Sequence, residues 1–244
     1  MKIALIDKQY DFLLKEIKSH FRNSSNSIHK ARNEIKIIKY RGNEYVVKSF
    51  KIPHLLNKII YTFFKNTKAQ KSHENSIKIV DFVPKPIGYI EFKKFGLICD
   101  SYFVSENFRY DFTIREPLLE KNFLDKKEIF KQFAEFTFDL HQNDILHLDY
   151  SPGNILIKKD KDRYIFKIVD INRMQFKKLS SNERVRNFSK LWAKDEDLKI
   201  IIKAYAKCIN MDASNAIKIA LKASQKHKYR KNMKKRLKGI KVVD

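Results

Sequence analysis

Three side chains suited to chemistry lie close together in the second half of the chain. His147, Asp149 and Asn154 have the spacing H-x-D-x-x-x-x-N, and Ser-Pro-Gly occupies positions 151–153. A carboxylate such as Asp149 can orient or deprotonate a hydroxyl group, and the amide oxygen of Asn154 can bind Mg²⁺. Because the turn residues allow both side chains to converge, the spacing predicts phosphoryl transfer to a hydroxyl. A helix-capping Asp and an ordinary turn Asn are the alternative interpretation.

A second carboxylate follows an apolar run further along the chain. Asp170 closes the run Ile168-Val169-Asp170. A carboxylate at the end of a buried strand is uncommon unless it is paired or binds a metal ion. We therefore expect Asp170 to be the second metal ligand beside Asn154.

A lysine within a strand pattern can supply the positive charge that phosphates need. Lys48 ends the run Tyr-Val-Val-Lys at positions 45–48, and we expect it to neutralise the α and β phosphates of ATP. Such a lysine needs a carboxylate partner on the following helix. Glu74 is the only acidic residue between Lys48 and Asp81 and is the predicted partner. The alternative is a solvated Glu on a helix face.

The glycines exclude the common nucleotide-binding loops. The chain has only 5 glycines, and they form neither G-x-G-x-x-G nor G-x-x-x-x-G-K-[ST]. Rossmann dinucleotide folds and P-loop NTPases are therefore strongly disfavoured. The place of a glycine-rich phosphate loop falls at about positions 23–33, where residues 24–27 are Ser-Ser-Asn-Ser. Their backbone N–H groups and hydroxyls can still approach a phosphate.

Apolar periodicity predicts strands first and helices later. We expect a hairpin of strands 35–40 and 45–50, in which Gly42-Asn43 supplies the positive φ angles. Helices over 54–64 and 67–79, an extended segment at 83–86 and strands over 87–92 and 96–103 follow. This order of elements defines a first domain that ends at residue 104.

The second domain, residues 105–244, is predicted to be mainly helical. A capping box of Asp125 and Glu128 begins a helix that ends at about Asn143 and buries His141 on its apolar face. Strands over 155–157 and 164–169 come next, and three helices follow from about Asn182. Trp192 is predicted to lie in the core. The apolar face of the first helix holds Phe130, Phe133, Ala134, Thr137, Leu140 and His141.

Taken together, these motifs resemble the protein-kinase-like superfamily, and within it the lipopolysaccharide core kinases of the Kdo and heptose kinase family. The segments that carry the resemblance are 46–48, 72–74, 147–154 and 169–170, and the sugar-kinase branch is indicated by Asp-Tyr-Ser-Pro-Gly-Asn at 149–154 together with Lys-Ala at 68–69 and Lys-Ser at 71–72. Two features depart from the pattern: the glycine-rich loop is absent, and Ile171-Asn172 stands where protein kinases have Phe-Gly.

The resemblance implies an α+β, two-lobed protein-kinase-like fold with a small antiparallel N-lobe sheet (1–104) and a mainly helical C-lobe (105–244). It implies ATP and Mg²⁺ as cofactors, His147 and Asp149 as catalytic residues, Lys48 and Glu74 at the nucleotide, and Asn154 and Asp170 at the metal. The reaction it implies is transfer of the γ-phosphate to a sugar hydroxyl of the lipid A core glycolipid on the cytoplasmic side of the inner membrane.

The segment after Asp170 bears on the acceptor. Few residues separate Asp170 from the next helix, and no A-P-E motif follows. A long activation segment that docks a peptide has no room there. We therefore expect a small, non-protein acceptor.

The charge of the chain predicts anionic partners. The net charge is +24, and nine basic residues with no acidic one lie between Lys226 and Lys241. Such a cluster favours an anionic membrane surface, whereas a solvated helix or a nucleic-acid patch is the alternative. Nucleic acid is not expected, because no known binding module accompanies the charge. Arg115 and Arg173 could hold an acidic sugar or a phosphate, or form surface ion pairs.

Two cysteines cannot form a disulfide framework, and no run reaches the 18 apolar residues of a membrane span. A cytoplasmic protein, peripheral on the inner membrane, is expected.

Two other functions remain open. One is a small-molecule phosphotransferase like the aminoglycoside or choline kinases, whose cationic acceptors suit this basic chain poorly. The other is a non-catalytic kinase-like binding module, which the missing glycine loop favours.

Overall fold

The computed structural model describes residues 1–30, 33–51 and 54–240, with the backbone alone at residues 29 and 30. The described chain divides into two compact units. The first unit holds Met1–Arg109 and Asp170–Asn172, and the second holds Tyr110–Val169 and the described residues from Arg173 onward. The first continuous segment of the first unit ends at Arg109.

The first unit is built on a six-stranded antiparallel sheet. Its strands are β1 (Lys2–Leu5), β2 (Ser27–Lys30), β3 (Glu34–Tyr40), β4 (Asn43–Ser49), β5 (Pro86–Lys94) and β6 (Leu97–Glu106). They run in the order β1-β5-β6-β4-β3-β2. Strands β3 to β6 confirm the sequence prediction, and β1 and β2 were not predicted.

The turn between β3 and β4 corrects one detail. Tyr40 pairs with Asn43, so the turn consists of two residues only. Both have positive φ, 49° at Arg41 and 78° at Gly42. The prediction that Gly42 and Asn43 supply these angles was wrong by one residue, because Asn43 already belongs to the strand. Positive φ at both positions matches the right-handed twist of the two strands.

Two short helices cover one face of this sheet. Helices α1 (Asp11–Lys15) and α2 (Ile17–Asn23) bury Leu13, Leu14 and Ile17 completely against sheet residues such as Val47. These helices were not predicted, because each is too short to show a clear 3.6-residue period. They close the apolar core of the first unit.

Two further helices lie between β4 and β5. Helix α4 (Lys68–Lys78) begins at Thr67, whose side chain accepts a hydrogen bond from the Gln70 backbone N–H, and it packs Ala69 against Phe50 and Tyr89. Helix α3 (Leu55–Phe63) has no buried residue at all. Both helices confirm the predicted positions, but the exposure of α3 was not foreseen.

The second unit combines small sheets with longer helices. Its strands are β7 (Phe112–Thr113), β8 (Ile145–His147), β9 (Ile155–Asp160), β10 (Arg163–Ile168) and β11 (Met174–Phe176). They pair as β10-β9-β7 and as β11-β8. The helices are α5 (Arg115–Leu119), α6 (Lys126–Gln142), α7 (Ser181–Asn187), α8 (Asp195–Cys208) and α9 (Ala213–Arg236). The three helices α7 to α9 confirm the prediction for the last part of the chain.

Helix α6 carries the core of the second unit. All six residues of its predicted apolar face are buried. The predicted capping box was wrong: Asp125 has a φ of 56° and its side chain caps nothing. An N-cap residue is typically extended, whereas here the Asp125 carboxylate accepts hydrogen bonds from Lys159 Nζ (3.1 Å) and Tyr164 OH (3.0 Å).

The last part of the described chain places the basic tail and Trp192. The prediction of a core position for Trp192 was wrong, since 41% of it is exposed and its neighbours Leu191 and Ala193 are the buried ones. Most of the basic tail belongs to α9, and Lys241 lies outside the described residues. None of the described helices is long and apolar enough to cross a membrane.

Candidate active site

The motif His147, Asp149, Asn154 forms a tight loop between β8 and β9 in the second unit. The chain passes through a short 3-10 turn at Pro152–Asn154 before β9 begins. The Asp149 backbone N–H donates to His147 Nδ1 at 3.0 Å. The Asp149 carboxylate itself is half-exposed and has Arg173 Nη1 at 4.0 Å from its Oδ2. A carboxylate so placed can receive an incoming hydroxyl.

His147 fixes this loop from within. It is buried, and its Nε2 lies 3.0 Å from the Val169 carbonyl oxygen. Because Nδ1 accepts from Asp149, Nε2 must carry the proton and donate to Val169. His147 therefore joins the backbone of Asp149 to Val169, the residue that precedes Asp170 in the chain.

Asn154 closes the other end of the loop. The side-chain Nδ2 of Asn154 donates to the Asp149 backbone carbonyl at 2.8 Å. The backbone carbonyl of Asn154 accepts from the Val169 N–H at 2.9 Å. Once Nδ2 is held in this way, the amide oxygen Oδ1 is the atom left for a cation. Oxygen ligands of this kind are those that Mg²⁺ prefers.

A buried chain of hydrogen bonds supports the loop from behind. Asn187 Nδ2 donates to the His147 carbonyl at 3.0 Å, and His141 Nε2 lies 3.2 Å from Asn187 Oδ1. His141 Nδ1 lies 2.6 Å from the Tyr205 hydroxyl. Burial lowers the pKa of His141 to about 4, so the ring is neutral at physiological pH and bridges Tyr205 and Asn187. His141 confirms the prediction of a buried, hydrogen-bonded histidine.

Tyr150 anchors the loop to α6. The side chain is fully buried, its hydroxyl lies 2.8 Å from Thr137 Oγ1, and its ring stacks on Phe133. Since Thr137 donates to the Phe133 carbonyl, Tyr150 is the donor in this pair. Burial raises the pKa of Tyr150 far above that of a free phenol. Tyr150 therefore serves as a structural anchor.

The two arginines singled out from the sequence lie next to the loop. A Cβ at Gly153 would meet the Arg115 guanidinium at 2.6 Å, so glycine leaves room for this cation. The Arg173 guanidinium forms a long ion pair with the Asp149 carboxylate, with 4.0 Å between Nη1 and Oδ2. The Arg173 backbone carbonyl accepts from the Leu148 N–H at 3.0 Å. Both guanidinium groups are available to an anion beside the loop.

A second group of predicted residues meets in the first unit. Lys48 Nζ on β4 lies 2.6 Å from Asp170 Oδ1, and Lys48 is largely buried. Asn172 Nδ2 donates to the same carboxylate oxygen at 2.5 Å. Asp170 has a φ of 58°, a conformation that costs energy in a non-glycine residue. The structure thus pairs the predicted phosphate lysine with the predicted metal ligand.

The structure does not bring Glu74 to Lys48. Glu74 Oε1 accepts from Gln70 Nε2 at 2.7 Å, and Asn66 Nδ2 donates to the same carboxylate. The helix instead uses its next residue, Asn75, whose Nδ2 donates to the Ile171 carbonyl at 2.7 Å. The predicted ion pair is therefore replaced by a hydrogen bond from α4 to the segment that carries Asp170.

The donor atoms of the predicted metal ligands are of the kind that a magnesium ion takes up together with phosphate oxygens. No group of three or more His, Cys, Asp or Glu side chains in the described chain could hold a metal ion. Asp170 and Asn154 offer oxygen atoms only, and Mg²⁺ commonly takes its remaining ligands from phosphates and water. In the segment expected to replace the glycine loop, Ser24 Oγ donates to the Ile37 carbonyl at 2.7 Å. Residues 31 and 32 of that segment lie outside the described residues.

Sequence reasoning missed four supporting residues, namely Asn75, Tyr150, Asn172 and Asn187. A signal existed for Tyr150, which lies within the motif and is aromatic beside a polar loop. Asn172 also stands at a position that the motif comparison had already marked. Nothing in the sequence pattern marks Asn75 or Asn187, because their partners are far away in the chain.

Comparisons with known proteins support the fold. No family model and no curated protein matches the chain. The solved structure "WaaP in complex with acyl carrier protein" matches 92% of this chain and 99% of its own, with a TM-score of 0.59 and 13% sequence identity. The α+β fold of this chain is kinase-like. In all, 1286 chains of solved structures match, so the fold is widely shared and does not select a substrate.

Proposed function

We propose that the protein is an ATP-dependent kinase that transfers the γ-phosphate to a sugar hydroxyl, Kdo or heptose, of the lipopolysaccharide inner core. The observation that carries the proposal is the catalytic loop, in which His147 and Asn154 hold the backbone on both sides of Asp149. The kinase-like fold gives that loop its context.

Each residue has a defined part in this reaction. Asp149 orients the acceptor hydroxyl and takes its proton, which is the role of a carboxylate in phosphoryl transfer. Lys48 binds phosphate oxygens, and Asn154 and Asp170 are the residues that would hold Mg²⁺. Bound Mg-ATP supplies the phosphoryl group and the charge that neutralises its oxygens.

The ion pair between Lys48 and Asp170 has a consequence for nucleotide binding. In the free protein, Lys48 Nζ donates a hydrogen bond to Asp170 Oδ1 at 2.6 Å, so each charge is neutralised by the other. Both can keep a partner of opposite charge when a nucleotide enters, since phosphate replaces Asp170 at Lys48 and a cation replaces Lys48 at Asp170. Nucleotide and metal are therefore expected to bind together.

The acceptor is expected to be a small anionic molecule. Only residues 171–180 separate Asp170 from α7, and they include the short strand β11. A peptide-docking activation segment does not fit in that length. The cations near the loop, Arg115 and Arg173, suit a phosphorylated or carboxylated sugar and do not suit a cationic aminoglycoside or choline.

The test is turnover of Mg-ATP with Kdo-containing lipid A as acceptor. We expect Asp149→Asn to lower kcat at least a hundredfold, because the amide cannot accept the proton. Asp162→Asn, in the exposed turn between β9 and β10, removes the same charge and is expected to keep full activity. An Asp149→Asn variant with the wild-type rate would remove Asp149 from the reaction.

A non-catalytic binding module is the second candidate, because the chain has no glycine-rich loop over the phosphates. Thermal unfolding in the presence of Mg-ATP separates the two. A kinase is stabilised by the nucleotide that it binds, by about 3 kcal/mol at a hundredfold excess over Kd. No shift of the melting temperature at millimolar Mg-ATP would favour the binding module.

A further inference from the structure

A groove in the second unit is lined by cationic side chains. It has a volume of about 930 Å³ and is lined by α9 and the segment 183–190, together with Leu146 and Leu148. Five of its cationic residues lie on α9 four residues apart, Lys218, Lys222, Lys226, Arg230 and Lys234. Arg186 and Lys190, from the segment 183–190, also line it.

This spacing is unfavourable in the absence of a ligand. Residues four apart on a helix are neighbours, and like charges at that spacing destabilise it by a few tenths of a kcal/mol per pair. The five cations of α9 form no ion pair with any described residue. An anion along the groove would remove this repulsion.

The protein does not neutralise the groove itself. Glu183 is the one carboxylate among the described residues that line it. Its oxygens already accept from Lys177 Nζ and from the backbone N–H and hydroxyl of Ser180. These bonds, led by that from Lys177, lower the pKa of Glu183 to about 2. Glu183 therefore remains occupied by partners outside the row of cations.

The positive charges that line the groove affect the pKa of His227. Burial, together with the charges of Lys190, Lys231 and Arg230, lowers its pKa to about 4. The field of Asp149 acts in the opposite direction on both His227 and Lys190. The cationic groove therefore lies within electrostatic reach of the candidate catalytic carboxylate, and Leu148, the residue before Asp149, lines it directly.

We propose that this groove binds the anionic part of the acceptor, a saccharide that carries two or more phosphate or carboxylate groups along α9. The inference rests on the proposed kinase function and names the part of the substrate that is recognised. The cations from residue 218 to residue 234 span about 24 Å at 1.5 Å per residue. That length fits several sugar units and exceeds what a single phosphate can cover.

The experiment measures binding without ATP, so that it does not depend on turnover. The probe is the soluble, deacylated and phosphorylated saccharide of Kdo-containing lipid A, titrated calorimetrically into the full-length chain. We expect Lys222→Gln/Lys226→Gln to weaken binding at least tenfold. Lys199→Gln/Lys203→Gln on α8 removes the same charge at the same spacing from an exposed face and is expected to leave binding unchanged.

Further arms identify the chemistry of the ligand. The dephosphorylated saccharide and inorganic phosphate are each expected to bind wild type at least tenfold more weakly than the phosphorylated saccharide. Equal affinity of the groove variant and wild type would overturn the proposal. If Asp149→Asn abolishes turnover while saccharide binding is absent in every variant, the kinase function stands and the groove assignment fails.

A second inference rests on α3 in the first unit, whose apolar side chains face outward. Leu56 is 77% exposed and Phe63 is 67% exposed. The exposed apolar residues are Leu55, Leu56, Ile59, Ile60, Phe63 and Phe64. Their recurrence as adjacent pairs every four residues places all of them on one face of the helix.

The polar face of α3 is the one that contacts the protein. The Thr62 hydroxyl donates to the Lys58 carbonyl and accepts from the Ile98 N–H of β6 at 3.1 Å. Tyr61 and Thr62 are partly buried. A helix that stabilises a soluble fold buries its apolar face. In α3 the polar face contacts the protein and the apolar face is exposed. Each large apolar side chain left in water forgoes roughly 1.5–3 kcal/mol of burial free energy.

The charge around α3 selects an occupant for its apolar face. No acidic residue occurs between Glu44 and Glu74, whereas this interval contains, besides the Lys48 that pairs with Asp170, the lysines Lys51, Lys58, Lys65, Lys68 and Lys71. An apolar helix face with flanking lysines is complementary to an anionic lipid surface. A second copy of the chain would place lysines against lysines and is disfavoured.

We infer that α3 lies in the interface of an anionic membrane, with its apolar face among the lipid acyl chains. This places the membrane contact on α3, and leaves to the groove the tail cations that line it, Lys226, Arg230, Lys231 and Lys234. A kinase whose acceptor is a glycolipid would need such a contact, but the inference stands on α3 alone.

Flotation with phosphatidylglycerol-containing vesicles tests this contact. We expect Leu56→Gln/Phe63→Gln to reduce binding at least tenfold. The control Leu119→Gln/Leu124→Gln, which removes two equally exposed leucines from the second unit, is expected to bind as wild type. Undiminished binding of the α3 variant would overturn the inference. So would light scattering that shows a dimer of the wild type that the α3 variant abolishes.

Discussion

The position of Asp149 depends on His147, which holds the loop through both of its ring nitrogens. We expect His147→Ala to leave the Asp149 N–H and the Val169 carbonyl without partners. The cost is about 2 kcal/mol of unfolding free energy, together with a lower kcat, because the carboxylate is no longer fixed. Urea denaturation and Mg-ATP turnover measure the two effects.

The control for this variant is Ile201→Ala, a fully buried residue of α8. It destabilises by a comparable or larger amount without contact to the loop. If both variants keep the same kcat below their melting temperatures, His147 has no positioning role. A selective loss in His147→Ala, with KM for ATP unchanged, is the expected result.

The neutral state of His141 predicts how stability depends on pH. Burial lowers its pKa in the folded chain to about 4 from the 6.5 of a free imidazole, so the unfolded chain binds more protons between these values. The stability contributed by neutral His141 is complete above pH 6.5 and is lost as pH falls toward 4, by up to about 3 kcal/mol. The positive charge of Arg184 acts in the same direction.

Urea denaturation at pH 7.5 and pH 4.5 measures this dependence, and His141→Gln is the reference. The amide can keep a hydrogen bond to Asn187 or Tyr205 but does not titrate. We expect the loss of stability on acidification to be smaller in the variant. Identical slopes in the two chains would assign the acid sensitivity to other groups, including His227.

The hydrogen bonds within the candidate catalytic loop follow from the sequence more directly than the surroundings of Lys48 do, for a physical reason. The hydrogen bonds of His147 to Asp149 and of Asn154 to Asp149 join residues within one short loop, so spacing alone largely determines them. The partner of Lys48 depends on how α4 is rotated. Adjacent residues on a helix point about 100° apart, and it is Asn75 rather than Glu74 that contacts the Asp170 segment.

At the scale of elements, strong periodicity was sufficient and weak periodicity was not. The long helix α6 and the hairpin of β3 and β4 were predicted within a few residues. Strand β1 and helices α1 and α2 are too short to be recognised, yet they complete the sheet and its core. For α3 the position was right, but periodicity cannot tell which side of a helix meets the protein.

Strand β1 depends on a glycine of β5, which provides an element-scale test. Gly88 pairs with Leu5, and a Cβ at this position would lie 2.4 Å from the Ala4 carbonyl oxygen and 2.9 Å from Leu14 Cδ2. Because the nearest atom belongs to the backbone of β1, it can move aside only if the strand shifts. We therefore expect Gly88→Ala to lower the free energy of unfolding by about 1–3 kcal/mol. Thermal unfolding measures it.

Gly153→Ala is the matched comparison. A Cβ there meets only the flexible guanidinium of Arg115, which can move aside. We expect its melting temperature to stay close to that of wild type. Equal losses in the two variants would mean that the close approach of β1 and α1 to Gly88 does not limit the fold.

For the whole molecule, two groups of basic residues account for part of the net charge of +24. Part of it flanks the apolar face of α3, and part lines the groove along α9. In the groove the one lining carboxylate among the described residues, Glu183, is bound to Lys177 and Ser180, and around α3 the sequence has no acidic residue between Glu44 and Glu74. Composition alone indicated a polyanionic partner, but only the structure separates the lysines into one set that suits a lipid surface and another that suits an anionic saccharide.

The repulsion within the groove predicts how stability responds to salt. Neighbouring cations on α9 are about 6 Å apart along the helix axis. The Debye length falls from about 30 Å at 0.01 M salt to about 8 Å at 0.15 M, so added salt screens this repulsion only in part. We expect the melting temperature of wild type to rise by about 2–4 °C over this range, which corresponds to about 1 kcal/mol for a chain of this size. Calorimetry in sodium chloride measures the rise.

The decisive comparison is between wild type and the groove variant Lys222→Gln/Lys226→Gln. Removal of two like charges from the row should raise the melting temperature at 0.01 M salt, because the variant no longer carries that repulsion. At 0.15 M the difference should shrink, since salt then supplies part of the same screening to wild type. A variant that melts lower than wild type at both salt concentrations would show that these lysines stabilise the fold by contacts of their own. In that case the groove cannot be a site kept at the expense of stability for an anionic ligand.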